Sequence, residues 1–169
     1  MNERKQAIVP AVVAALWSFV VLDFLVHAVV LASWWRATQA FWLPPLELAK
    51  RIPFAYSAFA IYSVGLCLFL KGAHREQLRV LTGLRLGALV GFAFGLMSAL
   101  GWYSAVRIPA SFLVVGPVST AICSAGAGGA AAWVLGGVRR WRRVGIVVVV
   151  GFVVFLLGVV AQNALPTGP

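Results

Sequence analysis

The sequence predicts an all-α protein: an integral membrane bundle of five transmembrane helices, with its N-terminus inside and its C-terminus outside. Three observations predict it. Hydrophobic residues make up 62% of the 169 residues and charged ones 11%, against about 45–50% and about 25% in soluble domains. A soluble fold of this length could not hide so much apolar surface, whereas a bilayer solvates the outward faces with lipid. Apolar runs of spanning length recur five times, and basic residues gather between them in clusters of unequal size.

The runs are 8–33, 54–70, 84–106, 112–136 and 144–162, each near the ~20 residues that a spanning helix needs. The first is longer than the about 7–15 residues of a signal-peptide core and contains Asp23, so it reads as a retained span. The second is the shortest. Pro53, Pro109 and Pro117 fall at or near the predicted helix starts, where a missing N–H is tolerated. No polar tract or linker divides the chain, so residues 1–169 read as one transmembrane domain with no room for a soluble catalytic one.

Orientation follows from the basic residues. One side receives Arg4, Lys5, Lys71, Arg75, Arg79, Arg85, Arg139, Arg140, Arg142 and Arg143; the other receives Arg36, Lys50, Arg51 and Arg107. The richer side is cytoplasmic, and only an odd number of spans preserves the alternation. The net charge of +10 is thus a topology signal, and no nucleic-acid partner is expected. The expected partner is the bilayer, including its anionic lipids, with a membrane-protein partner or a homo-oligomer as a further possibility.

The longest predicted loop, 34–53, carries Trp34, Trp35, Trp42 and Arg36, then Pro44 and Pro45 before a short apolar stretch at 46–52. Indole rings favour the headgroup level, so this loop is expected along the outer surface, as an aromatic belt or as the lip of a binding site. Its cytoplasmic counterpart is Arg139-Arg140-Trp141-Arg142-Arg143, whose four arginines should face lipid and touch anionic headgroups.

Asp23 and His27 are the sharpest chemical signal. Both lie inside the first span, four residues apart, and so share a helix face. An ionisable group there costs at least ~2.5–3.5 kcal/mol on insertion scales, which makes it a functional candidate by default. A carboxylate can fix the imidazole tautomer and raise its basicity, and histidine titrates near neutral pH. Proton or ligand chemistry and a self-satisfied packing pair both fit. Counting ~1.5 Å per residue from the middle of the run places the pair in the outer half of the bilayer and Arg85 roughly 20 Å lower. Arg85 should therefore snorkel to the inner headgroups. Polar or aromatic residues at the pair's depth are Tyr56 and Ser57 on the second span, Ser98, Trp102 and Tyr103 on the third, and Ser119 and Thr120 on the fourth. Together they could line a small polar pocket open to the outside.

Glycines give the second signal. Gly83, Gly87, Gly91 and Gly95 repeat every four residues, and Ala99 continues the row. The fourth span offers Gly116, Thr120, Ser124, Gly128 and Ala132 at the same interval. Small residues at this spacing let backbones approach closely, within the chain or between copies.

Cys67 and Cys123 lie inside apolar runs and read as packing residues without metal-ligand spacing. Nothing resembles a phosphate loop, a nucleophile elbow or an HExxH zinc site. His74 falls in a cytoplasmic loop, at a different depth from His27, which disfavours a haem held between them. No metal or other cofactor is expected, and no enzymatic activity.

The stretch Leu22-Asp23-Phe24-Leu25-Val26-His27, followed by Gly83-Leu84-Arg85-Leu86-Gly87, resembles small bacterial multipass membrane proteins of unknown function. In those, an Asp-x-x-x-His pair in the first helix precedes a Gly-Leu-Arg-x-Gly start of the third. Trp42-Leu43-Pro44-Pro45 is similar to the Trp-x-Pro-Pro that leads into the second helix of the tryptophan-rich sensory protein (translocator protein) family. Here some eight residues separate that motif from the next apolar run, and the later aromatic and Leu-Asn signatures of that family are missing. The resulting expectation is a non-enzymatic accessory subunit or small binding protein of the bacterial inner membrane. The alternatives are a small proton-coupled transporter using Asp23 and His27, and, from the second resemblance, a porphyrin- or lipid-binding sensory protein.

Overall fold

A computed structural model describes residues 8–73 and 78–164. Arg4, Lys5, His74 and Arg75 lie outside the described residues. The elements are α1 (Ile8–Phe24), a π-helical turn (Leu25–Val30), α2 (Ala32–Ala37), a 3-10 turn (Gln39–Phe41), α3 (Pro45–Ala73), α4 (Val80–Ala105), α5 (Phe112–Leu135) and α6 (Arg140–Ala164). Among the described residues there is no strand, and five helical segments are long and apolar enough to cross a membrane. The order of burial shows which solvent they suit. The most apolar helix, α6, is the least buried, while the least apolar, α5, is the most buried. Water would select the reverse, so the architecture is that of a multipass membrane protein.

The helices outrun the apolar stretches that announce them. α3 begins at Pro45, not near residue 54, and α4 and α6 begin at Val80 and Arg140, not at 84 and 144. Apolar length measures the hydrocarbon layer; a helix continues through the headgroups, where charged side chains are solvated. Pro45 takes the first helical position, where no N–H is needed. Pro53 therefore lies inside α3. It removes one backbone bond, and the Ser57 hydroxyl donates to the Pro53 carbonyl at 2.8 Å. The first run, expected as one span over 8–33, is α-helical to Phe24, widens into the π-helical turn and ends at Leu31. The loop expected over 34–53 is largely helical, in α2, the 3-10 turn and the start of α3.

α5 is the hub and touches α1, α3, α4 and α6. Its closest partner is α4, antiparallel to it. Gly83, Gly87, Gly91, Gly95 and Ala99 are all buried on α4. A Cβ on Gly83 would collide with Gly128 and Ala132, one on Gly87 with the Ser124 carbonyl, one on Gly91 with Ser124 and Thr120, and one on Gly95 with Pro117 and Thr120. Gly116 faces Ala99. The two small-residue rows thus meet backbone to backbone, which only glycine permits at Gly83 and Gly87. On its other sides α5 gives Cys123, Ala127, Ala131 and Val134 to a core completed by Ala11, Ala14, Ala15 and Phe19 of α1, Leu66, Cys67 and Leu70 of α3 and Val144 of α6.

α3 joins this core only through its second half. Phe19 lies between Phe59, at 4.8 Å between ring centroids, and Tyr62, at 5.5 Å. Below these rings the small Ser63 and Cys67 allow close approach and are fully buried. Above them the aromatic wedge holds the helices apart, and residues 46–58 are exposed throughout.

Gly87→Ala should lower the melting temperature in detergent. An added methyl meets a backbone carbonyl that cannot move aside, and overpacking of about 1–3 kcal/mol outweighs the about 1 kcal/mol that alanine gains over glycine in a helix. Gly101, with open space around it, supplies the control: Gly101→Ala should leave the melting temperature unchanged or raised. Equal behaviour of the two variants in thermal unfolding would contradict the backbone-contact account.

Candidate functional site

The site is built where α1 changes its winding. Beyond Phe24 the backbone bonds lengthen to a five-residue step, as in Leu31 N–H to Val26 C=O at 2.8 Å. Such π-helical turns are rare and recur at functional positions. His27 sits in this turn and Asp23 one residue before α1 ends. The imidazole Nδ1 lies 3.1 Å from Asp23 Oδ1 and 3.0 Å from the Asp23 carbonyl oxygen. With the proton on Nδ1 the ring donates to both oxygens. That fixes the tautomer and leaves Nε2 with its lone pair. The side chains are 29% and 31% exposed for His27 and Asp23 respectively, so the pair is partly covered yet reachable. Asp23 lies within electrostatic reach of Cys123 on α5.

An aromatic cap covers one side of the pair. The Trp35 ring meets the His27 ring edge-on, 5.5 Å between centroids. Trp35 in turn packs on Trp42 at 4.5 Å and on Trp34 at 5.2 Å. Trp34 stacks on Phe112, the first residue of α5, at 6.3 Å. Hydrogen bonds hold the cap: Trp34 Nε1 donates to Ser111 Oγ, Trp42 Nε1 to Thr38 Oγ1, and the Thr38 hydroxyl to the Trp34 carbonyl. Trp35 Nε1 is buried without a partner. The tryptophans, expected at the outer surface as an aromatic belt or the lip of a binding site, form a folded lid that ties α2 to the start of α5.

The other residues expected in a polar pocket do not converge on the pair. Tyr56 stands on the exposed half of α3, against Phe59 of its own helix. Trp102 and Tyr103 are exposed. The α4–α5 contact follows a four-residue row that winds about 40° per step. At the level of Trp102 it has turned roughly a quarter turn from that side chain, and Tyr103 sits at the open end of the helix pair. Ser98 is half-buried on α4. Ser119 and Thr120 both donate to the Gly116 carbonyl of their own helix, at 2.9 and 2.8 Å, the usual fate of a hydroxyl in a helix without water. Arg85 is exposed.

No family model, curated protein or solved structure matches the chain. The resemblances therefore rest on their motifs alone. Trp42-Leu43-Pro44-Pro45 does lead directly into α3, with no intervening loop. Among the described residues no cluster of three or more His, Cys, Asp or Glu could hold a metal.

Two polar links escaped sequence reasoning. The Tyr62 hydroxyl donates to Ser124 Oγ at 2.8 Å and joins α3 to α5 at the glycine seam. At the opposite end of α5, Arg143 lies over the Trp133 ring, 5.4 Å from its centroid, and donates to the Trp133 carbonyl. The available signal for the second was the Gly136-Gly137 turn between them. A side chain at Gly137 would collide with the Arg143 guanidinium. Arg143 is consequently half-buried; Arg140 is half-buried too, and of the four arginines Arg139 and Arg142 are exposed.

Asp23→Leu alone should destabilise the protein by about 1–3 kcal/mol, because it strips the His27 ring of an acceptor. Replacing Asp23 and His27 together with leucine should cost less than the single change, since no polar group is then stranded. Thermal unfolding of the three proteins in one detergent measures the difference; a double variant weaker than the single one would show that the two residues do not act as a pair.

Proposed function

We propose that the chain is a non-enzymatic protein of the bacterial inner membrane, a small binding protein or accessory subunit, with a cytoplasmic N-terminus and an external C-terminus. In this reading Asp23 and His27 are the polar part of its binding site. The observation that carries it is the half-covered Asp23–His27 pair beneath Trp35. The carboxylate holds the ring still, Nε2 retains a lone pair for one hydrogen bond, and the buried Trp35 N–H is a second group seeking a partner. Flat rings beside two directed polar groups suit a small, partly apolar ligand. The Ser57, Ser119 and Thr120 hydroxyls at that depth are spent on their own helices, which favours binding over group transfer.

The orientation rests on the ten basic residues assigned to one side against four on the other. A reporter fused to the C-terminus should be active only outside the cytoplasm; activity confined to the cytoplasm would reverse the topology.

A second reading is favoured by the π-helical turn. A widened turn can pass between helix registers, and an Asp–His pair beside it could carry a proton through such a change. Purification in mild detergent and reconstitution separate the two. Binding predicts a small molecule or partner subunit retained at constant stoichiometry, lost from a folded Asp23→Asn, His27→Gln variant, with no proton flux into liposomes. A flux abolished by the same variant would replace the binding reading with the transporter.

A further inference from the structure

The end of the bundle away from the aromatic cap carries a second site of different chemistry. Trp133 stands 21 residues beyond Phe112 on α5, about 30 Å along the helix axis. A cavity of about 390 Å³ opens there, lined by Trp133, Val138, Arg139, Arg142, Arg143 and Ile146. Three of the six carry guanidinium groups and none is acidic. Arg143 is fixed by the Trp133 ring, the Trp133 carbonyl and the bare backbone of Gly137. Arg139 and Arg142 project from the same turn and are exposed.

Two apolar grooves adjoin this cavity at Trp133, which lines all three. One, of about 290 Å³, runs between α1 and α6 past Ile146, Val150 and Val154. The other, of about 420 Å³, runs along α4 past Val80 and Leu84. Both reach Gly126, seven residues up α5, or about 10 Å toward the bilayer centre. α5 lines both grooves with Gly126 and Trp133, and the second also with Gly129 and Ala130; Leu22 lies over Gly126 and Leu84 over Gly129. A single basic mouth with two apolar branches matches one phosphate and two chains.

We infer that this surface is a binding site for an anionic diacyl phospholipid, its phosphate held by Arg139, Arg142 and Arg143 and one acyl chain lying in each groove. The guanidinium fork suits phosphate oxygens in pairs. Basic pockets between helices at the membrane surface hold anionic headgroups by this chemistry. A free phosphate would satisfy the arginines and leave both grooves unused, so the grooves decide for a lipid. The site is remote from Asp23 and His27 and does not depend on their role; with the N-terminus in the cytoplasm it opens to the cytoplasmic leaflet.

Native mass spectrometry of the full chain in mild detergent tests the assignment, with phosphatidylglycerol, phosphatidylcholine, lysophosphatidylglycerol and glycerol 3-phosphate as probes. One phosphatidylglycerol should bind per chain, at least about tenfold more tightly than phosphatidylcholine, and glycerol 3-phosphate should not displace it. Arg139→Gln with Arg142→Gln, both at exposed positions, should weaken phosphatidylglycerol about 30-fold, on the scale of about 1 kcal/mol for each basic residue at an anionic surface. Ala130→Phe fills the α4 groove and should weaken phosphatidylglycerol while leaving the one-chain lysolipid unaffected. Equal binding of phosphatidylcholine, or an unchanged affinity in the double arginine variant, would overturn the headgroup assignment. Displacement by glycerol 3-phosphate would reduce the site to one for free phosphate. Equal response of both lipids to Ala130→Phe would remove the two-groove assignment.

Discussion

Everything in this bundle is arranged around one backbone-to-backbone contact. α4 and α5 meet chiefly through glycine, alanine, serine and threonine, with Pro117 against Gly95 and Leu84 over Gly129. In lipid, apolar side chains gain little by meeting one another, since the acyl chains are equally apolar; close packing and polar links must hold helices together. The seam supplies the first, and the Tyr62–Ser124 bond adds the second at the same place. With one face of α5 closed against α4, its remaining alanines and Cys123 are left to receive α1, α3 and α6. The position of Phe112 at the head of α5 then decides where the tryptophan lid can rest, and with it the cover over His27.

The sequence was most legible where composition and period act alone. Five spans follow from five apolar runs, because hydrocarbon tolerates nothing else over that length. The pairing of the two small-residue rows was foreshadowed by their shared four-residue repeat, which serves close backbone approach within a chain or between copies. The register of that pairing, Gly83 against Gly128 and Ala99 against Gly116, could have been read from the same rows and would have turned Trp102 outward at once. Helix ends were less legible, since Lys50, Arg51 and Arg140 interrupt hydropathy without interrupting the helix. The π-helical turn left no trace in Leu25-Val26-His27-Ala28-Val29-Val30, a sequence that would serve equally in an ordinary helix. The packing of the tryptophans was illegible for a related reason: tryptophans near a membrane surface have a sufficient explanation in their amphipathic rings, and nothing local reveals that they pack on one another.

The two ends of the molecule divide the chemistry. At the lid, charge is sparse, paired and screened by rings, so that one imidazole nitrogen is presented in a fixed tautomer. At the arginine end, charge is dense and of one sign, and half-buried Arg143 also fastens the α5–α6 corner. Between them lies about 24 Å of seam built from the smallest side chains, Gly83 to Ala99 on α4.

The inverse order of burial and apolarity has a consequence for how the chain is made. α6, the most apolar segment and the least enclosed, can leave the insertion machinery for lipid on its own account and dock afterwards. α5 cannot be treated so: its glycines and hydroxyls give it the weakest claim on hydrocarbon of the five, and its small-residue face is covered by α4. Residues 106–111 are too short a connection to let the two part far. The two are therefore expected to enter the bilayer as a hairpin, with the helix at the centre of the finished protein drawing during synthesis on the neighbour that precedes it.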